Sequence, residues 1–163
     1  MTTYNTIADF NNALALAKTN LPAIMLPLVN QAQKALAGEI RARVSVQGET
    51  STGGQFSAYS KGHVYKKKKY GESALGKKVD KKNFYFSGKM WGSFGVTRIS
   101  IQGQRIVSNM GFLGQSGYLP TAELNDIHSE RENKGIAFPN KEEEDVLVAA
   151  IEEALFQSLD KLI

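Results

Sequence analysis

Residues 71–78 read GESALGKK, which satisfies the phosphate-cradling pattern G-x-x-x-x-G-K as far as Lys77. In such a loop, backbone N–H groups surround a phosphate, the lysine neutralises it, and the next residue's hydroxyl holds magnesium. Here the next residue is Lys78, so the hydroxyl is missing. The flanks KKKKY and VDKKNF also lack the buried strand and the following helix that frame a true phosphate loop. The octet reads as a chance match. His63 and His128 are the only histidines, and a metal site would need both, or one of them with carboxylates such as Asp126 and Glu130. His128, Glu130 and Glu132 do not share one helical face, so the spacing gives no ligand set. Ser116 in GQSGY lacks the spacing of a nucleophile elbow, and the chain has no cysteine. The acid run at Glu142, Glu143, Glu144 and Asp145 has an electrostatic reason to open a helix, where the dipole favours negative charge. No catalytic residue, cofactor or metal is expected.

The strongest local signal is basic. From Lys61 to Lys82 there are nine lysines, opposed only by Glu72 and Asp80. Lysines that neutralise phosphates release counterions, giving affinity that falls steeply with salt. Tyr59, Tyr65, Tyr70, Phe84 and Tyr85 flank or interrupt the run, and aromatic faces can stack on unpaired bases. The candidate contacts to a partner or to nucleic acid are Lys66, Lys67, Lys68, Lys69, Lys77, Lys78, Lys81 and Lys82. Arginines that read base edges are missing from the segment, so any contact would be non-specific. The bland alternative is a solvated surface loop.

The net charge of +4 conceals an asymmetry: Lys61–Lys89 carries ten lysines and two acids, whereas Thr121–Asp160 carries eleven acids against Arg131, Lys134 and Lys141. Opposite regions of this kind can complement one another between copies. The acids Glu142, Glu143, Glu144 and Asp145 are therefore a candidate inter-subunit face, to be met by Lys66–Lys69 of the next copy.

These groups need a frame. At 163 residues, 42% hydrophobic and 22% charged, the chain is expected to form one domain over 1–163, held by packing without disulfides. The N-terminus lacks the pattern of a signal peptide, and no unbroken apolar run approaches the ~20 residues of a membrane span, so a soluble, unexported protein with no membrane partner is expected. Asn5 or Thr6 can cap a short helix to about Lys18, with Ile7, Phe10, Leu14 and Ala17 on one face. Pro22 can open a second helix that restarts or kinks at Pro27 and carries Met25, Val29, Ala32, Leu36 and Ile40 towards Gly48. A loop follows from QGETSTGG. Residues from about 61 to 83 are then expected to form a long mobile basic loop, because large apolar side chains are almost missing from Lys66 to Asn83.

FYFSGKMWGSF holds five aromatic residues in eleven positions and should return to the core. GVTRISIQGQRIVSNMGF reads as a β-hairpin turning at Gln102–Gln104. Thr121 can cap a helix to about Asn133, with Leu124 and Ile127 inside and Glu123 and Glu130 outside, stopped by Gly135. After the extended IAFP, Asn140 can cap the last helix, whose apolar face holds Leu147, Ile151, Ala154, Leu155 and Leu159. The expected fold is α+β: N- and C-terminal helices on a small antiparallel sheet, with a central hairpin and the long basic loop.

The order of these landmarks resembles the virion-morphogenesis and tail-completion proteins of tailed bacteriophages, which build the neck between head and tail. The likeness covers about residues 22–160. A G-x-x-F/W-x-x-Y/L-S pattern before a lysine is matched by Gly53 or Gly54, Phe56, Tyr59, Ser60 and Lys66. The next segment is matched by Phe86, Ser87, Gly88, Met90 and Ser93, and the last by His128, Gly135, Phe138 and Pro139. Where many members carry an arginine just before that phenylalanine, this chain has Ile136 and Ala137. The resemblance implies a non-catalytic α+β subunit that assembles as a homo-oligomeric ring, joins portal-side proteins to the tail, and resides in the virion after synthesis in the host cytoplasm. Its basic loop would reach a neighbour, the tail tube or DNA in the channel. The rival reading is a nucleic-acid-binding module that uses the lysines as a charged arm.

Overall fold

The computed structural model describes residues 6–85, 88–116, 119–132 and 135–162. Thr6 caps helix α1, its hydroxyl oxygen accepting from the Asp9 N–H at 3.1 Å. α1 spans Ile7–Ala42 without a break, although Pro22 and Pro27 both lie inside it. A short helix to about Lys18 and a second from Pro22, restarting or kinking at Pro27, were expected here, and one long helix is found. Each proline removes a helical N–H at a cost of ~3 kcal/mol. Helical sequence on both sides, and the burial of Met25 and Val29 between and after the prolines, hold the helix through them. The uninterrupted helix also corrects the expectation about apolar runs. Residues 7–47 are long and apolar enough, by length and composition alone, to cross a membrane. The second half of α1 instead forms a wall of the core, and its stripe Met25, Val29, Leu36 and Ile40 faces inward.

The last turn of α1 widens into a π-helical segment, Arg43–Gln47, that buries Arg43, Val44 and Ser45 in succession. Gly48 ends it at φ 71°, and its N–H donates to the Arg43 carbonyl. That left-handed backbone favours glycine, and an added Cβ would also lie 2.8 Å from the Lys81 side chain. The helix thus stops where expected.

Helices α2 (Lys61–Tyr70), α3 (Ala74–Lys77) and α4 (Lys89–Gly92) follow, the first two inside the segment expected to be a mobile loop. Strands β1 (Phe94–Gln102) and β2 (Arg105–Phe112) form the expected antiparallel hairpin, with a register shift between Val96 and Arg98. A second small pair joins β3 (Gln115–Ser116) to β4 (Leu119–Pro120). Helix α5 spans Thr121–Glu132 and α6 spans Lys141–Leu162. The architecture is α+β in one domain, with α1 and α6 packed together and α1 also lying against the hairpin.

Thr121, expected to cap α5, is instead its first residue, and its hydroxyl bonds to the preceding chain rather than to the helix. Its side chain is buried, donates to the Leu113 or Gly114 carbonyl at 3.0–3.1 Å, and meets Ser93 Oγ at 3.0 Å, clamping the β2 exit onto α4. Asn133, the expected end of α5, lies outside the described residues, as do Phe86 and Ser87 of the landmark segment. Asn140 does cap α6, in a reciprocal box: Glu143 N–H donates to Asn140 Oδ1 at 2.7 Å, and Asn140 N–H donates to Glu143 Oε2 at 2.8 Å.

The core is a cluster of Leu36, Ala37, Ile40 and Val44 from the end of α1 with Phe56, Met90, Trp91, Phe94 and Ile136. Trp91 and Ile136 are fully buried, so the aromatic segment returns to the interior as expected. Ile136 is a packing residue of this cluster.

Candidate interaction surfaces around the basic helix

Ser60 opens α2, its hydroxyl accepting from the His63 N–H at 3.4 Å. Helical spacing then sorts the lysines. Positions 64, 67 and 71 fall on one side, while Tyr65 and Lys69 stand at the centre of the other, flanked by Lys66 and Lys68. The sequence marks that inner side with only Val64 and Gly71, too little to show an apolar stripe. Lys67 is the residue it buries.

Lys67 is fully enclosed. Its ammonium donates to Asn83 Oδ1 at 2.8 Å, to the Tyr85 carbonyl, and more weakly to Tyr59 Oη at 3.4 Å. The charge also lies 4.9 Å from the Tyr59 ring centre. All these partners are neutral, so burial of the ammonium lowers its pKa from 10.5 to about 8. Asn83 is itself fully buried and donates to the Leu75 carbonyl at 3.1 Å. Tyr59 Oη in turn accepts from the backbone N–H groups of Asn83 and Phe84 at 3.0 and 3.1 Å. These bonds hold Phe84 at φ 47°, an uncommon conformation for an aromatic residue. Phe84 then stacks edge-on to Phe56 with ring centres 4.8 Å apart. A lysine expected to reach a partner is thus the internal anchor of its own segment.

The other expected contacts divide. Lys66, Lys68, Lys69 and Lys77 are exposed, and Lys69 lies 5.7 and 5.1 Å from the ring centres of Tyr65 and Tyr70. Lys78 is half-buried, with Asp80 at 3.8 Å, and Lys81 lays its stem beside Gly48. Lys82 is turned inward, forming an ion pair with Glu132 and donating to Ser57 Oγ at 2.6 Å. Like Lys67, it is not a free contact. In GESALGKK the amides at its lysine end are already engaged: Gly76 N–H donates to Ser73 Oγ at 3.0 Å, and Lys77 N–H to the Ser73 carbonyl at 2.9 Å. The two glycines serve packing, because a Cβ on Gly71 would lie 2.7 Å from the Gly76 backbone.

Beside α2 lies a cavity of about 320 Å³, lined by His63, His128, Tyr59, Lys82, Arg131 and Glu132 among others. Nothing in the residue spacing shows that the two histidines, 65 positions apart, line one cavity. His63 stacks on Tyr59 at 4.7 Å with the rings 4° from parallel, and His128 lies 5.0 Å from Phe84. Burial, and then nearby cations, lower both imidazole pKa values, the first cation being Lys67 for His63 and Arg131 for His128. Burial pushes Glu132 upward, but Lys82 and the two Ser57 donors outweigh it and hold the carboxyl below its ordinary value. Of the lining groups, Lys82 and Glu132 satisfy one another, and Tyr59 Oη is engaged by Asn83. Among the described residues, no group of three or more His, Asp or Glu could hold a metal ion.

The acidic face also divides. Glu143 is internal, accepting from Arg43 Nε at 2.8 Å as well as completing the α6 cap. Arg43, buried at the π-turn, donates further to the Glu49 carbonyl at 3.0 Å and the Phe138 carbonyl at 2.6 Å. One guanidinium therefore joins α1, the following loop, the segment before α6 and α6 itself. Asp145 pairs with Lys141 at 2.6 Å on the surface, and Glu142 and Glu144 are exposed. Removing Glu143 from the expected inter-subunit face leaves the outward acids intact.

The chain matches no protein-family model, and no curated protein or solved structure is significantly similar to it.

Proposed function

We propose that this protein is a structural, non-catalytic subunit of the neck or tail-completion layer of a tailed phage, forming a homo-oligomeric ring that joins the portal side of the head to the tail. The carrying observation is apolar surface left on two helices. The opening turns of α1 expose Ile7 at 81% and Leu16 at 64%, and α6 exposes Val146 and Phe156, both at 67%. Large apolar side chains left in water on both terminal helices are what an association surface would cover. The basic α2 face and the acids outside α6 add charge complementarity between copies. The order of sequence landmarks supports the phage assignment in particular.

Size-exclusion chromatography with light scattering, and detection in purified virions, test this reading. Ring-sized assemblies and virion incorporation are expected. A chain that stays monomeric at high micromolar concentration and is missing from virions overturns it.

One observation favours a second reading: Tyr65, Tyr70, Lys66, Lys68 and Lys69 stand together on the outside of α2, as a site for single-stranded nucleic acid would require. DNA binding that weakens steeply with salt and is lost on replacing Lys66, Lys68 and Lys69 with alanine supports it. No retention at low salt removes it.

A further inference from the structure

A groove of about 400 Å³ runs between α1 and α6, lined by the buried Leu36, the half-buried Leu147 and Ala32, and the exposed Ala35, Ala150 and Val146, with the exposed Glu39 and Glu142 also in its lining. The third acid at this place, Glu143, is neutralised by Arg43. The groove is therefore apolar with small side chains at its mouth, which admits a bulky one, and carries two carboxylates, Glu39 and Glu142, that form no ion pair among the described residues.

The outer face of α2 has the opposite character. Tyr65 is 60% exposed, and the Lys69 ammonium lies 5.7 Å from its ring centre. Lys66 and Lys68 flank that pair, both exposed. Lys67 cannot take part, because its ammonium is anchored inside. An aromatic ring among lysines suits an apolar groove with small side chains at its mouth and glutamates beside it: the ring enters the groove while the ammonium groups meet the carboxylates.

We infer that α2 of one copy docks into the α1/α6 groove of a second copy, with Tyr65 seated over Ala35 and Val146, and with Lys66, Lys68 and Lys69 against Glu39 and Glu142. Two different patches mate, so the contact is head-to-tail. Repetition of such a contact gives a ring when the rotation closes and a filament when it does not. The inference rests on the ring reading and names its mating surfaces.

The lack of cysteine makes disulfide trapping clean. Chains carrying Tyr65→Cys are mixed with differently tagged chains carrying Val146→Cys under mild oxidation, beside untrapped wild type in sedimentation velocity. Both positions are exposed, and the emission of the buried Trp91 checks that each variant folds. Mixed disulfides well above either self-pair are expected. Lys69→Glu should weaken wild-type association about tenfold or more, and adding Glu142→Lys in the same chain should recover most of that loss. If wild type assembles but Tyr65→Cys pairs only with itself, or Val146→Cys pairs with Ile7→Cys instead, the docking assignment falls while the ring reading stands. Wild type that remains monomeric overturns both.

Discussion

Lys67 is an ammonium enclosed among neutral acceptors, and replacing it with methionine tests that description quantitatively. Its pKa of about 8, against an ordinary 10.5, corresponds at ~1.4 kcal/mol per unit to roughly 3 kcal/mol of destabilisation while the group is charged. Below pH 8 the lysine is protonated in both folded and unfolded chains, and that penalty is fully present. Between pH 8 and 10.5 the unfolded chain binds the proton more tightly, so stability rises with pH, by up to roughly 3 kcal/mol. Lys67→Met removes the charge and keeps most of the volume. Asn83 Oδ1 retains donors in Tyr59 Oη and the Tyr85 N–H, at 2.9 and 3.2 Å, so mainly the Tyr85 carbonyl loses a partner. An unsatisfied buried acceptor costs ~1–3 kcal/mol, which offsets the relief of the buried charge at pH 7. The variant should therefore unfold in urea within ~1–2 kcal/mol of wild type at pH 7, and should fall behind it by ~2–3 kcal/mol near pH 10, the difference being the slope that it lacks. Urea titrations followed by Trp91 emission at four pH values between 7 and 10 measure this. A flat wild-type profile across that range, or a variant that keeps the rise, refutes the reasoning.

Arg43→Met should cost about 3–5 kcal/mol, because it leaves Glu143 buried without its charge partner, and a double-mutant cycle with Glu143→Gln should return a coupling above ~1 kcal/mol. A loss under 1 kcal/mol would show that the four-way junction contributes little. On the acid side, stability should begin to fall as pH drops below about 6.5, since the unfolded chain protonates His63 and His128 before the folded one does. It should fall further below about 4.5, as the depressed Glu132 carboxyl is forced to protonate and Lys82 loses its partner. Thermal melts of His128→Phe should lose part of the first decline and keep the second. Tyr59→Phe should destabilise by about 2–4 kcal/mol, since the Asn83 and Phe84 N–H groups both lose their acceptor, and hydrogen exchange at those two amides should accelerate.

Where pattern was local, the sequence could be read directly. The hairpin shows as alternation around Gly103, the α6 cap as Asn140 three residues before Glu143, and the end of α1 as Gly48. Local pattern failed at α1, because proline's intrinsic cost is weighed there against burial of Met25 and Val29, and burial is not visible along the chain. It failed again at α2, where one Val64 among lysines gives no apolar period. Composition and order alone determined that opposite charges sit in two regions, that no disulfide or thiolate site exists, and that helices flank a central hairpin.

Only the tertiary structure decided which charges face outward. Lys67, Lys82, Arg43 and Glu143 carry the same formal charges as their neighbours, yet each is drawn inside by partners 16 to 100 positions away. Burial of a charge depends on what the folded chain brings to meet it, and that is set by packing between elements rather than by any residue's neighbours in sequence.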